Sequence, residues 1–247
     1  MLSEERFSRI AAFVNAKRSV TVTELVEKLK VSESTIRRDL IAMDEKGLLV
    51  KVHGGAIALD FDTSTKDEDV LSRQSMNTEA KRKIARYAAS LIRPGDFVYL
   101  DAGTTTELMI DYIEAKTAVF VTDAVTHAGK LAAMGIRVHI LGGELKSITE
   151  AVVGEEAIAS LQKYNFTRGF WGVNAISTGA GLTTPDLQEA MVKTHSMLRC
   201  REKYVLADVS KFQKISNVTF AALDDALILT DKTPPAEYAR LENVVVV

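Results

Sequence analysis

Several short polar segments of this 247-residue sequence carry residue types that can hold a ligand. Asp101-Ala102-Gly103-Thr104-Thr105-Thr106 follows an apolar stretch and opens a helical one. Glycine lets a ligand approach the backbone, hydroxyls donate hydrogen bonds, and a helix start favours an anion, so the loop suits a phosphate; the same composition also makes ordinary turns and caps. Leu141-Gly142-Gly143-Glu144, with Lys146 just behind, is a second tight loop. Gly179–Asp186 precedes a helix bearing Glu189 and Lys193. Four residues apart, these two read either as a helix-stabilising ion pair or as a carboxylate offered to sugar hydroxyls. Asp208-Val209-Ser210-Lys211 ends another apolar stretch, where Lys211 can neutralise a phosphate. Polar loops that each follow a strand describe one cleft for a small anionic polar ligand.

A different chemistry is written at the other end of the chain. Ser32, Ser34 and Thr35 begin a helical pattern that continues into Arg37 and Arg38. Short polar side chains at a helix start can reach base edges in a major groove, and consecutive arginines can take phosphates and a guanine edge. Lys51 and His53, in the hairpin that follows, add backbone or minor-groove contacts. The alternative is a plain three-helix bundle whose two arginines form a solvated face.

Charge and composition restrict the choice. The net charge of −2 excludes binding a polyanion through bulk charge. Counted by segment, residues 1–59 carry +2 and residues 60–247 carry −4, so DNA binding would need base contacts and more than one subunit. The one cysteine, Cys200, excludes an internal disulfide and a multi-cysteine metal site. Four scattered histidines form no ligand pair, so neither a metal nor a cofactor is expected. No apolar run reaches membrane-span length, and Glu4, Glu5 and Arg9 break the N-terminal pattern, so no leader peptide is expected. The expectation is a cytoplasmic protein with no membrane contact.

The elements that position these residues follow from periodicity. Ile10, Ala11, Phe13 and Val14 give a first helix. Thr21–Glu24 fits a capping box for a second, and Ser32 caps a third that ends near Gly47. Leu48–Val50 and Ala56–Ala58 predict a small hairpin around His53-Gly54-Gly55. These make a winged helix-turn-helix over residues 1–58. Residues 59–78, acidic and without apolar period, are expected to be a linker. Residues 79–247 alternate strands and helices, with strands apolar enough to be buried on both faces, which predicts an α/β domain on a largely parallel sheet.

Arg6, Ile10, Val14, then Ser32, Thr35, Ile36, Arg37, Arg38, Asp39 and Leu40, with the hairpin sequence Lys51-Val52-His53-Gly54-Gly55-Ala56, resemble the DNA-binding signature of the DeoR family of bacterial transcription regulators. The resemblance implies that Asp39 pairs with a nearby arginine while Ile36 and Leu40 pack inward. From about residue 78 onward the sequence is similar to the sensor domain of the same family, whose superfold includes ribose-5-phosphate isomerase and the glucosamine-6-phosphate deaminases. The resemblance implies effector contacts at Asp101, Gly103, Thr104, Thr105, Thr106, Asp123, Gly142, Gly143, Asn174, Glu189 and Lys211, and a phosphorylated sugar as effector. Two residues depart from the family pattern: Asp123 stands where asparagine is usual, and Val209 where serine is usual. Segments 148–151 and 163–166 are nearest to regulators of fructose utilisation in Gram-positive bacteria, which makes fructose 1-phosphate one candidate. The implied function is a repressor of a sugar-utilisation operon, a homodimer or homotetramer on double-stranded operator DNA, released by its effector. The alternative is an isomerase- or deaminase-like enzyme acting on a sugar phosphate through Asp101 and Glu189. Asn174 stands near where the isomerases carry an aspartate, which removes a carboxylate, so no catalytic residue is assigned.

Overall fold

The computed structural model describes residues 3–17, 19–52, 54–58 and 70–247. In the N-terminal unit, α1 (Ser3–Lys17) buries Ile10 and Val14. A short strand β1 (Ser19–Thr21) leads into α2 (Val22–Leu29), and the capping box forms: Glu24 N donates to Thr21 Oγ1 at 3.1 Å while Thr21 N donates to Glu24 Oε2 at 2.8 Å. α3 (Glu33–Glu45) starts at Ser32, whose hydroxyl accepts from Thr35 N at 3.3 Å. Ile10, Val14, Leu25, Ile36, Leu40, Met43 and Leu49 close the core between the three helices and the sheet.

The wing differs from the expected hairpin. β2 (Val50–Val52) and β3 (Gly55–Ile57) pair antiparallel, and β1 pairs with the other edge of β3, giving three strands. β1 escapes pattern reading because three residues give no alternation. Gly55 is required by crowding: a Cβ there would lie 2.0 Å from the Val20 carbonyl oxygen on the neighbouring strand. The wing also touches the other half of the molecule, since Val52 and Ile57 pack against Ala180 and Ile215.

Residues 59–69 of the expected linker lie outside the described residues, but its later part contains α4 (Val70–Ser75). Six residues are too few for a visible period. α5 (Thr78–Ser90), β4 (Phe97–Leu100), α6 (Thr104–Ile110), β5 (Val119–Thr122), α7 (Val125–Ala133) and β6 (Val138–Ile140) follow. An antiparallel hairpin, β7 (Glu144–Lys146) and β8 (Ala151–Val153), precedes α8 (Glu155–Leu161) and β9 (Phe166–Gly172). Next come β10 (Ala175–Ser177), β11 (Gly181–Thr184), α9 (Leu187–Leu198) and β12 (Cys200–Leu206). The chain ends in a 3-10 turn (Val209–Lys211), β13 (Val218–Ala221), β14 (Leu227–Thr230), α10 (Ala236–Ala239) and β15 (Val244–Val246).

Seven of these strands form one parallel sheet in the order β15-β14-β12-β9-β4-β5-β6. Alternate residues enter two separate cores. Tyr99, Val121, Trp171, Val205 and Ile228 face one layer, and Val98, Leu100, Phe120, Phe170, Leu206 and Leu229 face the other. Burial on both faces accounts for the strands' apolar character. From β4 the chain winds outward through β5 and β6, and from β9 it winds the opposite way through β12, β14 and β15. The reversal falls between β4 and β9, where ligands of open α/β sheets lie beyond the carboxyl ends of the strands.

Candidate functional site

At this reversal point β4 delivers Asp101, β5 delivers Asp123 and β9 delivers Gly172–Asn174. Asp101 is fully buried. Its Oδ2 accepts from Gly172 N at 3.0 Å and forms an ion pair with Lys193 Nζ, while its Oδ1 has no hydrogen-bond partner among the described residues. Burial raises the Asp101 pKa against the opposing pull of Lys193. Asp123 Oδ1 accepts from Ala102 N at 2.8 Å. Burial, and next the Asp101 charge, raise Asp123 to about 8. The Tyr99 hydroxyl is buried near both carboxyls and has no hydrogen-bond partner among the described residues; burial, then Asp123 and Asp101, push it well above the ordinary tyrosine range.

Beside these residues opens a polar cleft. Of the residues singled out in the sequence, Gly103, Thr104, Thr105, Asn174, Glu189 and Lys211 line it. Thr184 Oγ1 donates to Asn174 Oδ1 at 3.1 Å. Glu189 is held by Thr149 Oγ1 at 2.6 Å and by Lys146 Nζ at 3.1 Å, and Lys146 also pairs with Asp186 at 3.3 Å. Of the two alternatives the sequence left for Glu189, the ion pair with Lys193 is not formed, and Glu189 stands in the cleft lining. Lys193 turns to Asp101, 92 positions earlier in the chain, and Glu189 turns to the β7–β8 hairpin.

Asp101, Thr106, Asp123, Gly142 and Gly143 are not among the residues lining the cleft. Asp101 and Asp123 lie behind the lining, Asp101 paired with Lys193 and Asp123 accepting from Ala102 N. Thr106 closes the loop itself, donating to the Asp101 carbonyl at 2.7 Å and the Gly103 carbonyl at 2.8 Å. Gly142 and Gly143 lead into the β7–β8 hairpin. Gly143 has φ +145°, and a Cβ there would lie 2.5 Å from the Val153 carbonyl oxygen, so its glycine is explained by packing. The sequence reading also missed Arg73, Met76, Asn77 and Lys81, which line the cleft from α4 and the start of α5. Asn77 Nδ2 donates to Asp208 Oδ1 at 3.1 Å and to Ser210 Oγ at 3.2 Å, fastening that entry to the Asp208–Lys211 loop. The one available signal was Lys81, a charge on the otherwise apolar face of α5 that buries Ile84, Ala85 and Ala88.

In the N-terminal unit Ser32, Ser34, Arg37 and Arg38 are exposed along one side of α3, with Thr35 half-buried, and Lys51 is exposed on the wing. His53 lies outside the described residues. Ser32 Oγ lies 3.0 Å from Ser34 Oγ and 2.8 Å from Thr35 Oγ1. Arg37 is paired with Glu33 at 2.6 Å; both side chains are more than half exposed, and such a pair contributes only about 0.3–0.5 kcal/mol. Asp39, by contrast, is buried and paired with Arg6, its Oδ1 accepting from Nη2 at 2.8 Å, while Ile36 and Leu40 point into the core. Among the described residues no three histidine, cysteine or acidic side chains are grouped to hold a metal, and no helix is long and apolar enough to cross a membrane.

A winged helix-turn-helix joined to a doubly wound domain with a polar cleft at its switch point defines a DNA-binding regulator with a ligand-sensing half. Residues 6–61 match the DeoR-like helix-turn-helix domain and residues 76–232 match the DeoR C terminal sensor domain. The chain belongs to the DeoR family. It is 40% identical to the "Uncharacterized HTH-type transcriptional regulator FruR" of Bacillus subtilis (strain 168), covering all of this chain and 98% of that protein. It is 38% identical to the "Lactose phosphotransferase system repressor" of Staphylococcus aureus (strain N315), covering 91% of this chain and 90% of that protein. Among solved structures, ribose 5-phosphate isomerase A from Methanocaldococcus jannaschii matches 55% of each chain at 17% identity with a TM-score of 0.42.

Proposed function

We propose that this protein represses a sugar-utilisation operon and that a phosphorylated sugar, bound in the cleft at the β4–β9 reversal, releases it from DNA. The cleft carries the reading. Its wall combines backbone and hydroxyl donors at Gly103–Thr105 with the cations Lys211, Lys81 and Arg73 for a phosphate, and Asn174 and Glu189 for hydroxyls. The names of the relatives support sugar metabolism as the regulated process. Two helix-turn-helix units of a dimer or tetramer would occupy repeated half-sites, and the effector can shift binding only by its difference in affinity between the two arrangements. The test is a gel-shift titration of the full chain on the DNA upstream of its own gene. A hexose phosphate is expected to weaken the complex; indifference to every hexose phosphate tried would sink the switch. The same compounds are expected to be recovered unchanged, and turnover of any of them would favour an enzyme.

On the DNA side, Ser32, Ser34, Thr35, Arg37, Arg38, Lys51 and His53 are the proposed contacts. Arg38 is exposed and no ion pair to it is found among the described residues, so Arg38→Ala tests the interface with little risk to the fold. Operator binding is expected to weaken by about 1–3 kcal/mol with an unchanged melting temperature. Unchanged affinity would remove Arg38 from the interface.

A further inference from the structure

The cations around the cleft are engaged very differently. Lys193 lines the cleft and is ion-paired with Asp101. Lys81 is buried, and its ammonium donates to the Arg73 carbonyl near the end of α4. Arg73 lines the cleft next to Lys81. Its side chain lines the main cleft beside Thr104, Thr105 and Lys211, and also a smaller adjoining hollow bounded by Glu107 and His127. Its Nε is buried without a hydrogen-bond partner among the described residues. A buried guanidinium N–H lacking an acceptor is unfavourable, and Glu107, Glu189 and Asp208, which line the cleft and its adjoining hollow, already accept from other donors. Glu107 accepts from Lys130 Nζ at 2.6 Å and Gln74 Nε2 at 3.0 Å, Glu189 accepts from Thr149 and Lys146, and Asp208 accepts from Asn77.

The helix that carries Arg73 is also distinctive. α4 is the first described element after the wing, so the chain from the DNA-binding unit enters the sensor through it. It is fastened on one side by Gln74 to Glu107 on α6, and just beyond its end by Asn77 to Asp208. Arg73 stands immediately before the first of these attachments and lines the cleft. An anion bound there would supply the missing acceptor and add a third attachment.

We infer that Arg73 is a ligand of the effector's phosphate group, through which the bound effector seats α4 on the sensor domain. This rests on the sugar-phosphate reading above and adds to it the residue that joins effector occupancy to the segment leading to DNA. A guanidinium suits the task because it offers two parallel N–H donors to a phosphate, which a lysine cannot.

The experiment uses the full chain and a panel of hexose 1- and 6-phosphates, fructose 1-phosphate among them, with the matching free hexoses and inorganic phosphate. Calorimetry gives affinities for the natural protein and for Arg73→Gln, Arg73→Lys and Lys211→Gln. Hydrogen exchange over residues 70–75 is followed with and without the tightest binder. Arg73→Gln is expected to weaken that binder roughly 10- to 100-fold and to narrow its preference over the free hexose, while Arg73→Lys loses less. The binder is expected to slow exchange in α4 of the natural protein and to lose this effect in Arg73→Gln. A merely structural Arg73 would leave the preference for phosphorylated over free sugar intact. If Arg73→Gln does not fold, the preference and exchange measured with Arg73→Lys decide the question. Affinity within about twofold of the natural protein, with Lys211→Gln impaired, would overturn the role of Arg73 and leave the sensor reading standing. Failure of the natural protein to bind any phosphorylated sugar would overturn both.

Discussion

Lys193→Met is expected to destabilise the sensor domain by about 3–5 kcal/mol, the loss typical when one partner of a buried ion pair is removed. Lys193 and Asp101 are both almost wholly buried. Without the ammonium, Asp101 would keep only the Gly172 N–H as donor, with Asp123 beside it as a second carboxyl group. Methionine preserves the apolar stem of lysine and removes the ammonium, which pairs with Asp101 and stands 5.7 Å from the Phe220 ring centroid. For a chain of this length the loss corresponds to a fall in melting temperature of roughly 6–20 °C. The deficit should shrink at low pH, where Asp101 can take a proton and no longer needs the cation. Adding Asp101→Asn to Lys193→Met should recover much of the loss, because the uncompensated charge then disappears. Thermal and urea unfolding of the two single variants and the double variant form a cycle that measures the coupling. Additive effects would show that the pair contributes nothing specific.

The same pair shows why some of the site was legible in the sequence and some was not. Local patterns were legible. The capping box at Thr21–Glu24, the cap at Ser32, and the inward positions Ile36 and Leu40 each depend on residues within a few positions of one another. The parallel sheet was legible because burial on both faces leaves a compositional mark. The partner of Lys193 was not, since Glu189 lies one helical turn away while Asp101 is brought in by the strand order, which places β4 next to β9. Gly142 and Gly143 look like a ligand loop in sequence because tight packing and ligand approach demand the same residue. Their use in the β7–β8 hairpin appears only once Val153 is seen against Gly143. Arg73 went unread for a related reason: on a six-residue helix in polar surroundings nothing separates a cation facing a cleft from one facing water.

Asp123→Asn is expected to abolish a component of the protein's pH dependence. In the folded chain the Asp123 pKa is raised to about 8, by burial first and then by the Asp101 charge; in the unfolded chain it returns to about 3.9. Between these values the folded state holds a proton that the unfolded state has released, so stability falls as pH rises. The contribution is fully present below about pH 4 and is lost as pH climbs through 8. Between the two values a single group with this shift gives a slope of up to about 1.4 kcal/mol per pH unit, and Lys193, by favouring the charged form, holds the upper end of that window lower than burial alone would put it. Asparagine cannot titrate, it can accept the Ala102 N–H as Asp123 does, and it offers a donor as the protonated carboxyl does. The variant should match the natural protein below about pH 4 and exceed it increasingly up to about pH 8, beyond which the gap levels off. Urea unfolding across that range measures both slopes, and parallel curves would show that Asp123 is not the titrating group. Asparagine is also the residue usual at this position in the family pattern. If the sensor binds a phosphate dianion, removing a carboxyl that ionises near pH 8 behind the cleft lining should also make effector affinity less sensitive to pH. The natural protein's affinity would then decline toward alkaline pH, as Asp123 acquires its charge, while that of Asp123→Asn would hold.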